Sequence, residues 1–140
     1  MFHIISGGKH KDIRGTVAFV NDFDMKEVRR MYCIEQPDIT TIRAWQGHKK
    51  EQKWFFVTTG KFKIGLIVPD NWENPSRNLE PVFIELCAEE PKILHIPGGY
   101  VNGFRALKPI SKMMVFSDFS IEESKADDYR YDMNYWNWKD

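Results

Sequence analysis

Apolar and polar positions alternate in short runs along most of the chain, and the runs are separated by turn residues. Phe62, Ile64, Leu66 and Val68 alternate with Lys61, Lys63 and Gly65, the period-two pattern of a strand with one buried face. Gln52–Thr59 precedes it across a single Gly60, which predicts a hairpin. Gly15–Val20, Met31–Ile34 and Ile39–Trp45 are further β-prone stretches, the last two separated by the Gln36-Pro37-Asp38 turn. Val82–Cys87, Lys92–Ile96, Val101–Leu107 and Lys112–Phe119 complete the set, at a spacing of roughly ten residues that suits an all-β sandwich or barrel. Met25–Arg30 is the one mildly helical stretch of the first half. Asp70–Pro81 predicts a long polar surface loop. The tail from Ile121 is first acidic and then aromatic, with Tyr129, Tyr131, Tyr135, Trp136 and Trp138, and is expected to dock rather than hang free.

Composition narrows the function classes. The 140 residues fit one domain, with no repeat or linker to divide them. Twenty Lys and Arg balance twenty Asp and Glu, so the basic excess of a nucleic-acid binder is missing. No apolar run approaches the ~20 residues of a membrane helix, and the N-terminus lacks a signal-peptide pattern, which predicts a soluble, cytoplasmic protein. Cys33 and Cys87 are too few for a disulfide framework and are expected as buried, reduced thiols.

Two segments carry candidate chemistry. The first runs Arg43-Ala-Trp-Gln46-Gly-His48-Lys-Lys-Glu-Gln-Lys53 and on to Gly60; the second is Ile96-Pro97-Gly98-Gly99-Tyr100-Val101-Asn102-Gly103-Phe104. Strand alternation places Gln46 and His48 on one face, and Asn102 on the strand after the Pro97–Gly99 turn can point to the same interior. Amides and an ammonium are poor ligands for a divalent cation, so this set does not predict a metal site. Two amides, an imidazole, an ammonium and a guanidinium suit an anionic, oxygen-rich ligand such as a sugar phosphate. Asp118 and Asp132 are candidate carboxylates to orient His48.

These segments resemble the two motifs of the cupin superfamily. The four ligand positions of its metal-binding members fall on Gln46, His48, Lys53 and Asn102, and only one of them keeps a ligand residue. More closely, the chain resembles the RmlC-like, metal-free cupins that act on nucleotide-linked keto-sugars, the dTDP-4-dehydrorhamnose 3,5-epimerases and dTDP-sugar ketoisomerases. Asp12-Ile-Arg14-Gly15, Arg43 to Gln46, Lys53, Ile96 to Phe104 and the Tyr129–Trp138 tail occur in the order those families show. The resemblance implies an all-β jelly-roll barrel spanning residues 1–140, no cofactor, a nucleotide-sugar substrate and a homodimer. It implies epimerase or ketoisomerase chemistry by proton abstraction beside a ketone. His48 would be the base, Arg43 and Lys53 would stabilise the enolate, and Gln46, Asn102, Tyr100, Arg14 and Tyr129 would bind substrate. Gln46 and Asn102 stand where those families carry histidine, and Met113–Phe116 lacks the tyrosine that serves the epimerases as acid, leaving Tyr100, Tyr129 or Tyr131 to substitute. The alternative is a cupin that binds a nucleotide sugar or glycan without turning it over.

Overall fold

The computed structural model describes residues 1–140. Two five-stranded antiparallel sheets face each other in a jelly roll, with elements numbered in chain order. The first sheet runs β1 (His3–Ser6), β9 (Lys92–Ile96), β6 (Lys53–Thr59), β11 (Ser111–Ser117), β4 (Arg30–Gln36). The second runs β12 (Tyr129–Arg130), β5 (Ile42–His48), β10 (Tyr100–Ala106), β7 (Lys61–Ile67), β8 (Val82–Cys87). A separate hairpin of β2 (Gly8–Asp12) and β3 (Gly15–Phe19) stands apart from both.

The alternation read from the sequence is what fills the space between the sheets. Phe55 and Val57 of β6, Phe62, Ile64 and Leu66 of β7, Leu94 and Ile96 of β9, Phe104 of β10, and Met113 and Val115 of β11 form one buried cluster. Burial of each such side chain is worth about 1.5–3 kcal/mol. Gly60 closes the β6–β7 hairpin with φ of 76°, and a Cβ there would lie 2.2 Å from the Ser111 hydroxyl, so only glycine serves both the turn and the contact.

A second cluster lies on the outer face of the second sheet, where Trp45, Ile67, Val101 and Trp136 pack under Trp72, Tyr131 and Trp138. The docked tail holds the long loop by its carbonyls: Tyr131 Oη donates to Trp72 (2.6 Å), Tyr135 Oη to Pro75 (2.5 Å) and Trp136 Nε1 to Ser76 (2.9 Å). The aromatic tail therefore works as packing, as its composition implies.

Two expectations change. Met25–Arg30 forms turns rather than helix; the only helix is α1 (Ile121–Lys125), started by a capping box in which Ser120 accepts from Glu123 N and the Glu123 carboxylate accepts from Ser120 N. Cys33 is exposed and Cys87 half-buried, because Cys33 alternates to the outer side of the edge strand β4; both are free thiols. The N-terminal strands β1, with its paired Ile4-Ile5, and β2, with Lys9-His10-Lys11, carry no apolar alternation to reveal them.

Candidate functional site

β5 and β10 pair antiparallel, with Tyr100 opposite His48 and Asn102 opposite Gln46. The register then shifts, so that Phe104 pairs with Arg43 and two residues, Ala44 and Trp45, face the single Gly103. The step puts Arg43 on the same inner face as Gln46 and His48 although it lies an odd number of residues away. It also sends Trp45 outward into the aromatic cluster. A Cβ at Gly103 would lie 2.6 Å from Ala44 Cβ and 3.1 Å from Trp45 Cε3, so the step requires glycine across from it.

Between the edges of β4 and β5 opens a cavity of about 610 Å³, lined among others by Tyr32, Arg43, Gln46, Lys53, Asn102 and Arg130. A neighbouring recess of about 340 Å³ shares Tyr32, Arg43, Gln46, Lys53 and Arg130 and adds Arg30, Lys125 and Asp128. Five cationic side chains surround this opening. Lys53 is buried and donates from Nζ to Tyr32 Oη at 3.0 Å. Arg43 lies over the Phe104 ring at 5.9 Å. Gln46 donates to Asp128 (3.0 Å), whose carboxylate also accepts from Arg130 at 2.9 Å. Burial would raise the Asp128 pKa, but the Arg130 and Gln46 hydrogen bonds together outweigh it and hold the carboxyl below its ordinary range.

His48 sits behind this opening. Its Nδ1 lies 2.7 Å from the Asp127 carbonyl, which can only accept, so Nδ1 carries the proton and Nε2 is the lone-pair nitrogen. Nε2 is buried without a partner. Burial pushes the His48 pKa down, Lys53 adds to the effect, and the hydrogen bond to Asp127 and the charges of Glu51 and Asp127 oppose it without reversing it. The imidazole is thus kept neutral but sealed.

A polar network fixes that position. The buried Glu51 carboxylate accepts from Ser117 Oγ (2.6 Å) and Ser124 Oγ (2.7 Å) and lies 3.5 Å from both Arg30 Nη2 and His48 Nδ1. The Asp127 carboxylate accepts from the backbone N–H groups of Lys49 (2.8 Å), Lys50 (2.9 Å) and Glu51 (2.8 Å). Asp127 and Glu51 hold the segment around His48, whereas Asp118 accepts from Gln52 (2.7 Å) and Asp132 from Asn134 (2.8 Å), neither touching the imidazole.

Of the residues singled out from the sequence, the structure brings Arg43, Gln46, Lys53 and Asn102 together. It leaves three elsewhere. Tyr100 Oη accepts from Phe2 N at 3.2 Å within the core margin. Tyr129 packs outside the sheet with its ring tilted against Trp72 (5.0 Å between centroids) and under Lys49. Arg14 is exposed at the hairpin tip, paired with Asp12 at 2.6 Å. Sequence reasoning missed Tyr32, Arg30 and Arg130. Alternation along β4 was the available signal for Tyr32; Arg130 is visible only from its pairing with Gln46 across β12 and β5.

The metal-binding proteins whose motifs the two segments resemble hold their ion at four positions, and the residues here do not fit one. The four positions hold two amides, an ammonium and a single imidazole, and no group of three His, Cys, Asp or Glu side chains in the chain could hold an ion. No helix is long and apolar enough to cross a membrane.

No family model and no curated protein matches the chain. Solved structures do. A point mutant of the QdtA 3,4-ketoisomerase of Thermoanaerobacterium thermosaccharolyticum, in complex with TDP-4-keto-6-deoxyglucose, is 20% identical over 96% of this chain and 90% of its own, with a TM-score of 0.72. The WlaRB TDP-quinovose 3,4-ketoisomerase of Campylobacter jejuni is 19% identical over 96% and 95%, with a TM-score of 0.70. ChmJ, a 3'-monoepimerase of Streptomyces bikiniensis in complex with dTDP-quinovose, is 11% identical over 94% and 70%, with a TM-score of 0.76. The chain therefore shares the fold of these ketoisomerases and this epimerase, the fold that the resemblance of the sequence motifs implies.

Proposed function

We propose that the chain is an isomerase acting on a nucleotide-linked 4-keto-6-deoxy sugar, moving a proton beside the ketone without a metal. The observation that carries this reading is the cavity between β4 and β5, in which Arg43, Lys53 and Arg130 converge with the amides of Gln46 and Asn102. Cations fixed in a partly closed cavity stabilise an enolate oxygen and the diphosphate, and amides orient sugar hydroxyls. In this reading Arg43 and Lys53 face the developing charge while Gln46 and Asn102 hold the sugar. His48, the base implied by the family resemblance, is neutral as that task requires. Its sealed Nε2 would have to open to the cavity to serve.

The reading includes a homodimer. The β2–β3 hairpin leaves Ile13, Val17 and Phe19 exposed, an apolar surface that a second copy would cover. Arg14 lines neither the cavity nor its recess, so in this reading its contact with substrate comes from the hairpin of a second copy. A soluble protein of the cytoplasm, where activated sugars are made, fits this activity.

The test is incubation with TDP-4-keto-6-deoxyglucose in D2O, followed by mass spectrometry and proton NMR. The expected result is enzyme-dependent gain of one deuterium beside the ketone together with an isomeric product. Saturable dTDP-sugar binding with no exchange would instead identify a binding cupin.

A further inference from the structure

We propose that Gln46, turned by Asp128 to present its carbonyl oxygen, selects sugars that carry a hydroxyl on the carbon beside the ketone. The inference rests on the isomerase reading above and adds which substituent the cavity requires.

The polarity of the Gln46 amide follows from its neighbours. Gln46 Nε2 donates to Asp128 Oδ1 at 3.0 Å, and the same oxygen accepts from Arg130 Nε at 2.9 Å. Burial opposes ionisation of Asp128, but the hydrogen bonds from Arg130 and Gln46 outweigh it and keep the group a carboxylate. A carboxylate only accepts, so the amide beside it must offer its nitrogen; turned over, it would set oxygen against oxygen. Pairing of β12 with β5 places Arg130 opposite Gln46, so the backbone itself brings the three side chains together. Gln46 Oε1 is thus the free end. It has no partner within the chain, it is not sealed as His48 Nε2 is, and it stands on the wall that the cavity and its recess share.

Asn102, paired with Gln46 on the neighbouring strand β10, is the contrast. It lines the same cavity, but its amide makes no hydrogen bond within the chain, so it can turn either end to a ligand. Arg43 and Lys53 carry donors only. A sugar with a ketone next to a hydroxyl therefore meets a directional set: its carbonyl oxygen faces the donors, and its hydroxyl hydrogen faces Gln46 Oε1. A fluorine, an alkoxy group or a second carbonyl at that carbon brings only lone pairs to Gln46 Oε1 and is repelled. A histidine at position 46 could donate or accept according to its tautomer. The fixed amide narrows the choice to donors. Asp128 is the positioning residue of this contact, because it reaches the substrate only through Gln46.

The test titrates dTDP-6-deoxyglucose and its 3-deoxy-3-fluoro analogue into wild type and Asp128→Asn by calorimetry. Neither ligand has a ketone, so nothing turns over, and fluorine fills the room of the hydroxyl without a hydrogen to give. Wild type is expected to bind the hydroxyl ligand at least ~10-fold more tightly. In Asp128→Asn a neutral amide replaces the anion and Gln46 can turn its nitrogen to the cavity, so the ratio is expected to fall below about threefold. The readout is the ratio within each protein, which cancels any general change in how the recess holds the diphosphate. A merely structural Asp128 would change both affinities alike; an unchanged ratio in Asp128→Asn overturns the assignment. Wild type that binds the two ligands within about threefold of each other also overturns it, with no variant needed. Both of those outcomes leave the isomerase reading intact, since deuterium exchange into TDP-4-keto-6-deoxyglucose decides that separately. Wild type that binds neither ligand removes the nucleotide-sugar reading and the assignment with it.

Discussion

Asp127 holds His48 and the segment after it with two different groups. Its carbonyl accepts from His48 Nδ1 at 2.7 Å, and its carboxylate accepts from the backbone of Lys49, Lys50 and Glu51. A single residue of the segment between α1 and β12 thereby fixes the end of β5 and the inner strand face that precedes it.

Replacing Asp127 with Ala leaves three buried or half-buried N–H groups without an acceptor. The expected loss of stability is about 2–4 kcal/mol by urea denaturation, with Asn recovering part of it through its one remaining oxygen.

Glu51 is the second tether. Glu51→Leu takes away the acceptor of the Ser117 and Ser124 hydroxyls and the carboxylate facing Arg30, which keeps only its bonds to the Phe119 and Ser120 carbonyls. The expected cost is about 3–5 kcal/mol, read as a fall in the urea midpoint with little change in slope.

His48 gives the fold a pH dependence of defined sign. Its folded pKa is depressed below 6.5, chiefly by burial. The unfolded chain therefore binds the proton more readily, and stability is fully present above the unfolded value. It is lost as pH falls from there through the folded pKa. Thermal melts from pH 7.5 downward should show wild type losing its advantage over His48→Asn. His95, depressed in the same sense by burial and His3, is unchanged in both proteins and cancels from the comparison.

Gly103→Ala sets a methyl against Ala44 and Trp45 at the register step. The expected cost is about 1–3 kcal/mol, together with weaker dTDP binding because Arg43 hangs on that step. A variant bound as tightly as wild type would show that the step does not position Arg43.

Arg43→Ala should weaken dTDP-sugar binding about 10-fold or more, with a shallower dependence on salt than wild type. Isothermal titration at two ionic strengths measures both.

The barrel was legible because its core strands obey alternation: Phe62, Ile64 and Leu66 point inward as their spacing predicts. The docked tail was legible from its aromatic content. The site was half legible. Arg43, Gln46, Lys53 and Asn102 are recognisable from motif spacing, but the side chains that complete the cavity come from pairing between distant strands. Arg130 reaches it because β12 adds to the edge of β5, and the same pairing turns its neighbour Tyr129 to the outside. Asp127 lies 79 residues from the histidine it holds, so no local pattern announces it. The helix α1 does carry a local signal, the Ser120-x-x-Glu123 box, within a short acidic segment that has no apolar face of helical period.

The step at Ala44 and Trp45 makes β5 a strand read in two frames. Before it odd positions face the cavity, and after it even ones do, so the inner set is 43, 46 and 48 rather than a regular series. A strictly alternating strand would send either the guanidinium or the amide and imidazole outward. Drawing this step out into regular strand would leave every side chain in the sequence and yet divide the cationic and neutral halves of the pocket between opposite sides of the wall.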